Sequence, residues 1–362
     1  GDHRDLHKEY RRQRQMCIRD RFKRAELSFL CSIVFLFHPI LANSVYWISG
    51  RTDMAACSFY LLSLILTSKY LKDLDIRYFI LSQVSFFVAL LSKEISITLP
   101  LAQVWMIWHY ILDSDQDISL RSVLVRFVAY SALVVALFLS YRLFIFGQSP
   151  LRIDDVYNIG GFYHLFINTV KVASFMIIPF GHQSFEMLVY DYKLYLIIVL
   201  IPVSIRIIYM VYNQRKDLVT EIMLCALLLI SVLPLFKLAM RWYMYIPTVF
   251  FSFVLANIIY LKWGRGNITR AVILIYLALN IFGGLVNYKV WLENSRVNRE
   301  LVTQLVDEIE KETTADTFVI LNFPAKINRT ATFVAGFEDP VSYTHLRAHE
   351  TRHDLVCRLL LE

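Results

Sequence analysis

Charged residues are scarce in this sequence. They make up 19% of its 362 positions, whereas hydrophobic residues make up 57% and the mean hydropathy is +0.50. Soluble globular domains average about 25% charged residues and about 45–50% apolar residues. Glycine and proline are scarce too, with 11 and 9 positions, which excludes a collagen-like chain and a disordered linker. The composition predicts an integral membrane protein that spans its bilayer several times.

Cysteine is rare as well. Five cysteines are too few for a disulfide framework, and Cys31, Cys57 and Cys225 lie in apolar runs, where cysteine acts as a small hydrophobic residue. No His/Cys spacing is typical of a zinc site, and no period of 20–50 residues indicates a repeat array. These patterns predict no resident metal or cofactor, although a divalent metal ion stays open as an alternative.

Both ends of the chain differ abruptly in composition from their neighbours. Arg11–Arg21 and Val341–Glu362 resemble translated sequencing-adapter read-through. We therefore expect the basic arm at 1–24 and the segment 341–362 to be artefacts, at least in part; the alternative is a genuine arm and a genuine polar tail. Without both segments the net charge falls from +7 to +2. The basic balance thus indicates no nucleic-acid partner.

Long apolar runs fill residues 25–291, the predicted transmembrane domain. About 20 apolar residues cross a bilayer as a helix. The segment 163–180 holds His164 and Lys171 and is expected to be interfacial or re-entrant. The fold class is therefore an all-α polytopic integral membrane protein with about nine to ten transmembrane helices. The predicted spans are 26–46, 54–71, 78–91, 95–112, 122–146, 193–212, 220–240, 242–261 and 271–291.

The hydrophobicity stops after Trp291. Residues 292–312 have the pattern of a polar amphipathic helix, and Thr317–Asn322 and Thr332–Gly336 have the composition of strands. We predict that 292–340 begins a small α/β segment outside the membrane.

The distribution of lysine and arginine between the loops gives the orientation. If the chain is inside before residue 26, the inside loops carry ten Lys/Arg and the outside loops carry five. An excess of positive charge marks the cytoplasmic side. With this orientation, four polar clusters fall on the outside face. They are His38-Pro39 with Gly50–Asp53, then Ser92–Glu94, then Arg152 with Asp154 and Asp155, and finally Lys237 with Arg241–Tyr243.

Ionisable residues at membrane depth are costly, so they mark a functional site by default, and several on one face predict one polar cavity there. Arg51, Lys93 and Arg241 would hold a lipid-linked phosphate, because a cation neutralises it and guanidinium binds it in a bidentate manner. A carboxylate can act as general base on an acceptor hydroxyl, and Asp53 and Glu94 are the candidates; they would otherwise orient the cations or hold the acceptor. The supporting residues are His38, Asp154, Asp155 and Trp242.

Each cluster also has a purely structural interpretation. Asp53 would cap a helix and pair with Arg51, and Lys93 with Glu94 would form a surface turn. Trp242 with Arg241 would be an interface anchor. Asp154 and Asp155 would lie in a solvated loop, and His38 would be a satisfied histidine at a proline kink. A flippase or transporter of an anionic lipid-linked substrate would use similar cations, and a non-catalytic scaffold stays open as well.

Three segments, in this order along the chain, resemble glycosyltransferases of the GT-C type, in particular the transmembrane O-mannosyltransferases with TPR repeats and their bacterial counterparts. In Phe37–Tyr60, His38-Pro39 and Gly50–Asp53 match the family pattern, whereas Asn43 or Ser44 replaces its glutamate. Leu90–Pro100 resembles the Ser-Lys-Glu stretch. Arg241–Pro247 resembles the Arg-Tyr-Leu-Tyr-Leu-Pro stretch, with Trp242 in place of tyrosine.

The resemblance implies an integral membrane transferase that moves a sugar from a polyprenyl-phosphate carrier to a protein or glycan acceptor on the external face. In such enzymes the main acidic motif lies in the first external loop, so we expect it N-terminal to this sequence. Because 292–340 does not resemble TPR repeats, the bacterial counterparts are favoured. The location implied is the bacterial inner membrane, with the active face toward the periplasm.

Overall fold

The structure, a computed structural model, is helical in almost all of the residues that it describes. The described residues are 25–47, 50–113, 120–146, 162–177, 218–236, 239–262, 267–311, 326–327 and 330–331.

Ten α-helices are described, and four short 3₁₀ helices lie between them. The α-helices are α1 (Ala25–Leu36), α2 (Ala42–Tyr46), α3 (Arg51–Asp73), α4 (Ile76–Ser92), α5 (Leu99–Asp113), α6 (Leu120–Phe146), α7 (Phe162–Ile177), α8 (Leu218–Val232), α9 (Tyr245–Lys262) and α10 (Asn267–Lys311). The 3₁₀ helices are Pro39–Leu41, Glu94–Thr98, Leu233–Phe236 and Arg241–Met244.

Four of the described helical stretches are long and apolar enough to cross a membrane, which is compatible with an integral membrane protein. They are Arg51–Asp73, Arg121–Ile145, Arg241–Ile259 and Leu274–Glu300. A fifth would be the bent pair Leu27–Leu36 and Pro39–Tyr46. Shorter apolar helices occupy Ile76–Ser92, Phe166–Ile177 and Ile222–Phe236. The predicted span 193–212 lies outside the described residues, so the total of nine to ten stays a prediction.

The core of the bundle is formed mainly by α3, α4, α5, α8 and α9. Aromatic and aliphatic side chains fill it, and Tyr60, Phe86 and Leu99 are fully buried. Tyr60 lies edge-on to Phe250 with a ring-centroid distance of 6.2 Å, which joins α3 to α9. Helices in a bilayer associate by such close packing, since lipid tails are as apolar as the side chains.

A polar clamp of four buried side chains joins α3, α4 and α5. The two N–H groups of Gln103 Nε2 are shared among three acceptors, Ser63 Oγ at 3.1 Å, Thr67 Oγ1 at 3.1 Å and Ser82 Oγ at 2.9 Å. Each hydroxyl in turn donates to a backbone carbonyl of Ser63 or Ser82. Because a polar group in an apolar interior needs a partner, these contacts fix the rotation of the three helices about their axes.

The turn between α3 and α4 brings these helices together as an antiparallel pair. Leu74 has a left-handed backbone conformation with φ of 54°, and its N–H donates to Tyr70 O at 2.8 Å. Asp75 Oδ1 then accepts from the N–H of Arg77 at 2.9 Å and caps α4. The start of α3 and the end of α4 therefore lie at the same end of the bundle.

The chain divides into two compact units, Gly1–Gly284 and Leu285–Glu362. The predicted domain boundary, after Trp291, falls seven residues further on. The helix predicted over 292–312 is present to Lys311 as the end of α10, although it continues the preceding apolar helix and is no separate element. In the second unit, β1 (Lys326–Ile327) pairs antiparallel with β2 (Thr330–Ala331). The strands predicted at Thr317–Asn322 and Thr332–Gly336 lie outside the described residues.

Candidate functional site

The first turn of α3 places a carboxylate in the bundle. Asp53 is three residues after Gly50, the residue that precedes the helix, so its charge lies near the positive end of the helix dipole. Its side chain is 3% exposed, and Lys93 Nζ lies 3.5 Å from Asp53 Oδ2. The Lys93 side chain is 19% exposed and links this buried carboxylate to the surface.

The chain leaves the helical conformation at Lys93, which lies between α4 and the following 3₁₀ helix. Its φ of −159° and ψ of 131° are extended, and its N–H donates to Ala89 O at 2.9 Å. The ammonium lies 5.2 Å from the centroid of the Tyr243 ring, within the range of a cation–π contact. Tyr243 Oη also donates a long hydrogen bond of 3.5 Å to Glu94 Oε1. We call Asp53, Lys93, Glu94 and Tyr243 the charged cluster.

The backbone around the charged cluster is held by close packing and by aromatic rings. Ser44 Oγ donates to Trp242 O at 3.1 Å, and the rings of Trp47 and Trp242 meet with centroids 5.5 Å apart. Gly50 packs directly on Ser44: a Cβ at residue 50 would lie 2.6 Å from Ser44 Cα. These contacts attach α2 to the start of α3 and to the 3₁₀ helix Arg241–Met244.

His38 is satisfied on both ring nitrogens. Its Nδ1 accepts from the N–H of Ile40 at 3.3 Å, so the neutral ring carries its proton on Nε2 and donates to Met176 O at 2.9 Å. It is 2% exposed and lies edge-on to Phe251. These contacts fit the structural interpretation, because the ring caps the bend at Pro39 and attaches α7 to it.

The three cations predicted to bind a phosphate lie in different environments. Arg51 is exposed at the first residue of α3. Lys93 is paired with Asp53. Arg241 is 7% exposed, and its guanidinium carbon lies 5.4 Å from the centroid of the Phe175 ring. A phosphate at the surface would therefore meet Arg51 and Lys93 first.

Several predicted site residues lie outside the described residues, namely Arg152, Asp154, Asp155 and Lys237. Trp242 is half-buried beside Trp47 and Tyr243. In the described part of the chain, no group of three or more His, Cys, Asp or Glu side chains could hold a metal ion.

Sequence reasoning did not select Tyr243, although the structure gives it contacts to both Lys93 and Glu94. The sequence feature that could have indicated Tyr243 is its position next to Arg241 and Trp242 in a polar cluster. No family model, curated protein or solved structure matches the chain. The geometry of the site and the sequence motifs are therefore the features that bear on function.

Proposed function

We propose that this chain is a membrane glycosyltransferase of the GT-C type, which moves a sugar from a polyprenyl-phosphate donor to a protein or glycan acceptor. The proposed location is the bacterial inner membrane, with the reaction on the periplasmic face. The observation that carries the proposal is the buried Asp53 carboxylate, paired with Lys93 at the end of two apolar helices. Ionisable groups so placed are expensive in a bilayer and are kept for function.

Lys93 is the proposed contact to the donor phosphate. Its ammonium has three N–H donors, and the pairing with Asp53 at 3.5 Å leaves donors for a second anion. Asp53 acts as a positioning residue for Lys93 in this proposal. Arg51, two residues before Asp53 in the sequence, is exposed and provides a second cation. Arg241, because it is buried, would contact only a phosphate that enters below the surface.

Glu94 is the proposed contact to the acceptor, and it is exposed beside Lys93. In transfer, an acceptor hydroxyl attacks the anomeric carbon, its proton passes to a carboxylate, and the bond from that carbon to the phosphate oxygen breaks. Glu94 is the proposed proton acceptor, because Asp53 is engaged as the partner of Lys93. Lys93 would neutralise the charge on the departing phosphate, which is electrostatic catalysis by a preorganised cation.

A transfer assay with a radiolabelled polyprenyl-phosphate sugar tests these roles. Removal of one preorganised donor at a developing oxyanion costs about 100-fold or more in rate, so Lys93→Gln should lower transfer by about 100-fold. Lys289→Gln removes an exposed cation on α10 and serves as the matched control. Equal transfer by the Lys93→Gln and Lys289→Gln proteins would overturn the assignment of Lys93.

A further inference from the structure

A second polar contact lies at the opposite end of α3 from the charged cluster. Arg126 Nη1, on α6, donates to Tyr70 Oη at 2.7 Å. The Tyr70 ring is 3% exposed, and its centroid lies 5.6 Å from that of Phe79 and 5.7 Å from that of Phe127. Because packing fixes this ring, its hydroxyl holds one side of the exposed Arg126 guanidinium in place.

The depth of Arg126 follows from the length of its helix. The apolar stretch Arg121–Ile145 has 25 residues, or about 37 Å at 1.5 Å per residue. The hydrocarbon core of a bilayer is about 30 Å thick. Arg126 is about 7–8 Å along the helix from Arg121, which places it near the boundary between lipid headgroups and acyl chains.

Positive charge predominates among the described side chains of α3, α4 and α6 at this end. Within the described part of the chain, the polar contact of the Arg126 guanidinium is Tyr70, and no carboxylate lies within ion-pair distance. An arginine at membrane depth normally pairs with a charge or with backbone carbonyls. Among the described side chains of α3, α4, α6 and the turn between α3 and α4, the other cations at this end are Lys69, Lys72, Arg77 and Arg121, and the carboxylates are Asp73 and Asp75.

We infer that Arg126 and Tyr70 form a binding site for the phosphodiester headgroup of an anionic phospholipid in the inner leaflet. A guanidinium has five N–H donors in a planar fork that matches two phosphate oxygens, and Tyr70 occupies one of the five. Tyr130, one turn further along α6, is 50% exposed and packs edge-on against Phe79 at 5.2 Å. Its amphipathic ring suits the glycerol and upper acyl region of the same lipid. This site is independent of the proposed glycosyl transfer.

The test is the association of spin-labelled phosphatidylglycerol with the purified chain in phosphatidylcholine bilayers. Arg126→Gln should lower the association constant about fivefold, since one cation near an anionic leaflet contributes roughly that factor. Tyr70→Phe keeps the packed ring and removes the hydroxyl, and should lower the constant by a smaller factor. Arg142→Gln, near the other end of α6, is the matched control for the loss of one cation, and it should lower the constant by a smaller factor than Arg126→Gln does.

Unchanged association in the Arg126→Gln protein would overturn the inference, as would an equal loss in the Arg142→Gln protein. Displacement of the bound lipid by millimolar inorganic phosphate would also overturn it, because the site would then bind a free anion. If Arg126→Gln fails to fold, Arg126→Lys keeps the charge and removes the planar fork. Lower phosphatidylglycerol association in that folded variant supports the site, and association equal to that of the unmodified chain contradicts it.

Discussion

At the scale of single residues, the Asp53 carboxylate and the Lys93 ammonium form a buried ion pair. Asp53 is buried, and among the described residues Asp53 Oδ2 has no hydrogen-bond partner within normal distance; its charged neighbour is Lys93 Nζ at 3.5 Å. Removing one partner of a buried ion pair leaves an uncompensated charge, which is worse than removing both. The ion pair therefore predicts that the variant lacking only Lys93 is less stable to unfolding than the variant lacking both charges.

Lys93→Gln should lower the free energy of unfolding by about 2 kcal/mol. This is below the about 3–5 kcal/mol of a fully buried pair, because the Lys93 side chain is 19% exposed and solvent screens it. The double variant with Asp53→Asn should recover part of the loss, since no charge is then left unpaired. Thermal unfolding in detergent measures this order. A double variant less stable than Lys93→Gln alone would contradict the pairing.

Gly50→Ala should lower the free energy of unfolding by about 1–3 kcal/mol, the usual cost of overpacking. The added Cβ would overlap Ser44 O and lie 2.6 Å from Ser44 Cα, both of them backbone atoms that cannot rotate away. Gly284→Ala is the control, because its Cβ would meet Phe37 O at 3.6 Å, an ordinary contact. Alanine inside a helix is favoured over glycine by about 0.5–1 kcal/mol. Similar unfolding temperatures for both variants would argue against the close packing of α2 on α3.

At the scale of secondary-structure elements, the polar clamp fixes the rotation of α3, α4 and α5 about their axes. Gln103 is fully buried and donates to hydroxyls on α3 and α4. Among the described residues its Oε1 has no hydrogen-bond partner, so part of the gain from the amide N–H donations is offset. We therefore expect the Gln103 side chain to make a moderate net contribution to the free energy of unfolding.

Gln103→Leu should lower the free energy of unfolding by about 1 kcal/mol, since each interhelical hydrogen bond in a membrane contributes about 0.6 kcal/mol and the unpaired Oε1 is removed as well. Ser85→Ala is the control, because its hydroxyl donates to Leu81 O within α4 and, in the part of the chain that the structure describes, makes no hydrogen bond to a second helix. That variant should stay within about 0.5 kcal/mol of the unmodified chain. An increase in stability for Gln103→Leu would mean that the clamp is a net cost.

The proximity of Asp53, Lys93 and Glu94 could be predicted from the sequence, because consecutive spans alternate in direction and bring their ends to one face. The contacts of Tyr243 could not be predicted. Arg241, Trp242 and Tyr243 are consecutive, and the rotation of their 3₁₀ helix decides which ring contacts Lys93.

The polar clamp around Gln103 could not be predicted, because a single polar residue in an apolar run does not indicate its partner. The continuity of α10 was missed because hydropathy falls after Trp291 whereas the helix continues.

At the scale of the whole molecule, the predicted orientation places the end of α3 on the inside of the membrane and Glu94 on the outside. Lys69 near the end of α3 is exposed at one end, and Glu94 is exposed at the other. We expect a membrane-impermeant maleimide to label Glu94→Cys from the outside of intact vesicles and Lys69→Cys only after permeabilisation. The background for both variants has Ala at the five native cysteines. Labelling of both variants from one side would contradict the alternating spans.

The central claim is glycosyl transfer at the charged cluster, and its most direct test is product analysis in vesicles of known orientation. A labelled polyprenyl-phosphate sugar is supplied on the external face, with protein and glycan acceptors on the same side. We expect a new glycosidic bond on that face, with the yield strongly reduced in the Lys93→Gln protein and unchanged in the Lys289→Gln protein. Label that crosses the bilayer without a new bond would show transport instead, and would contradict the account.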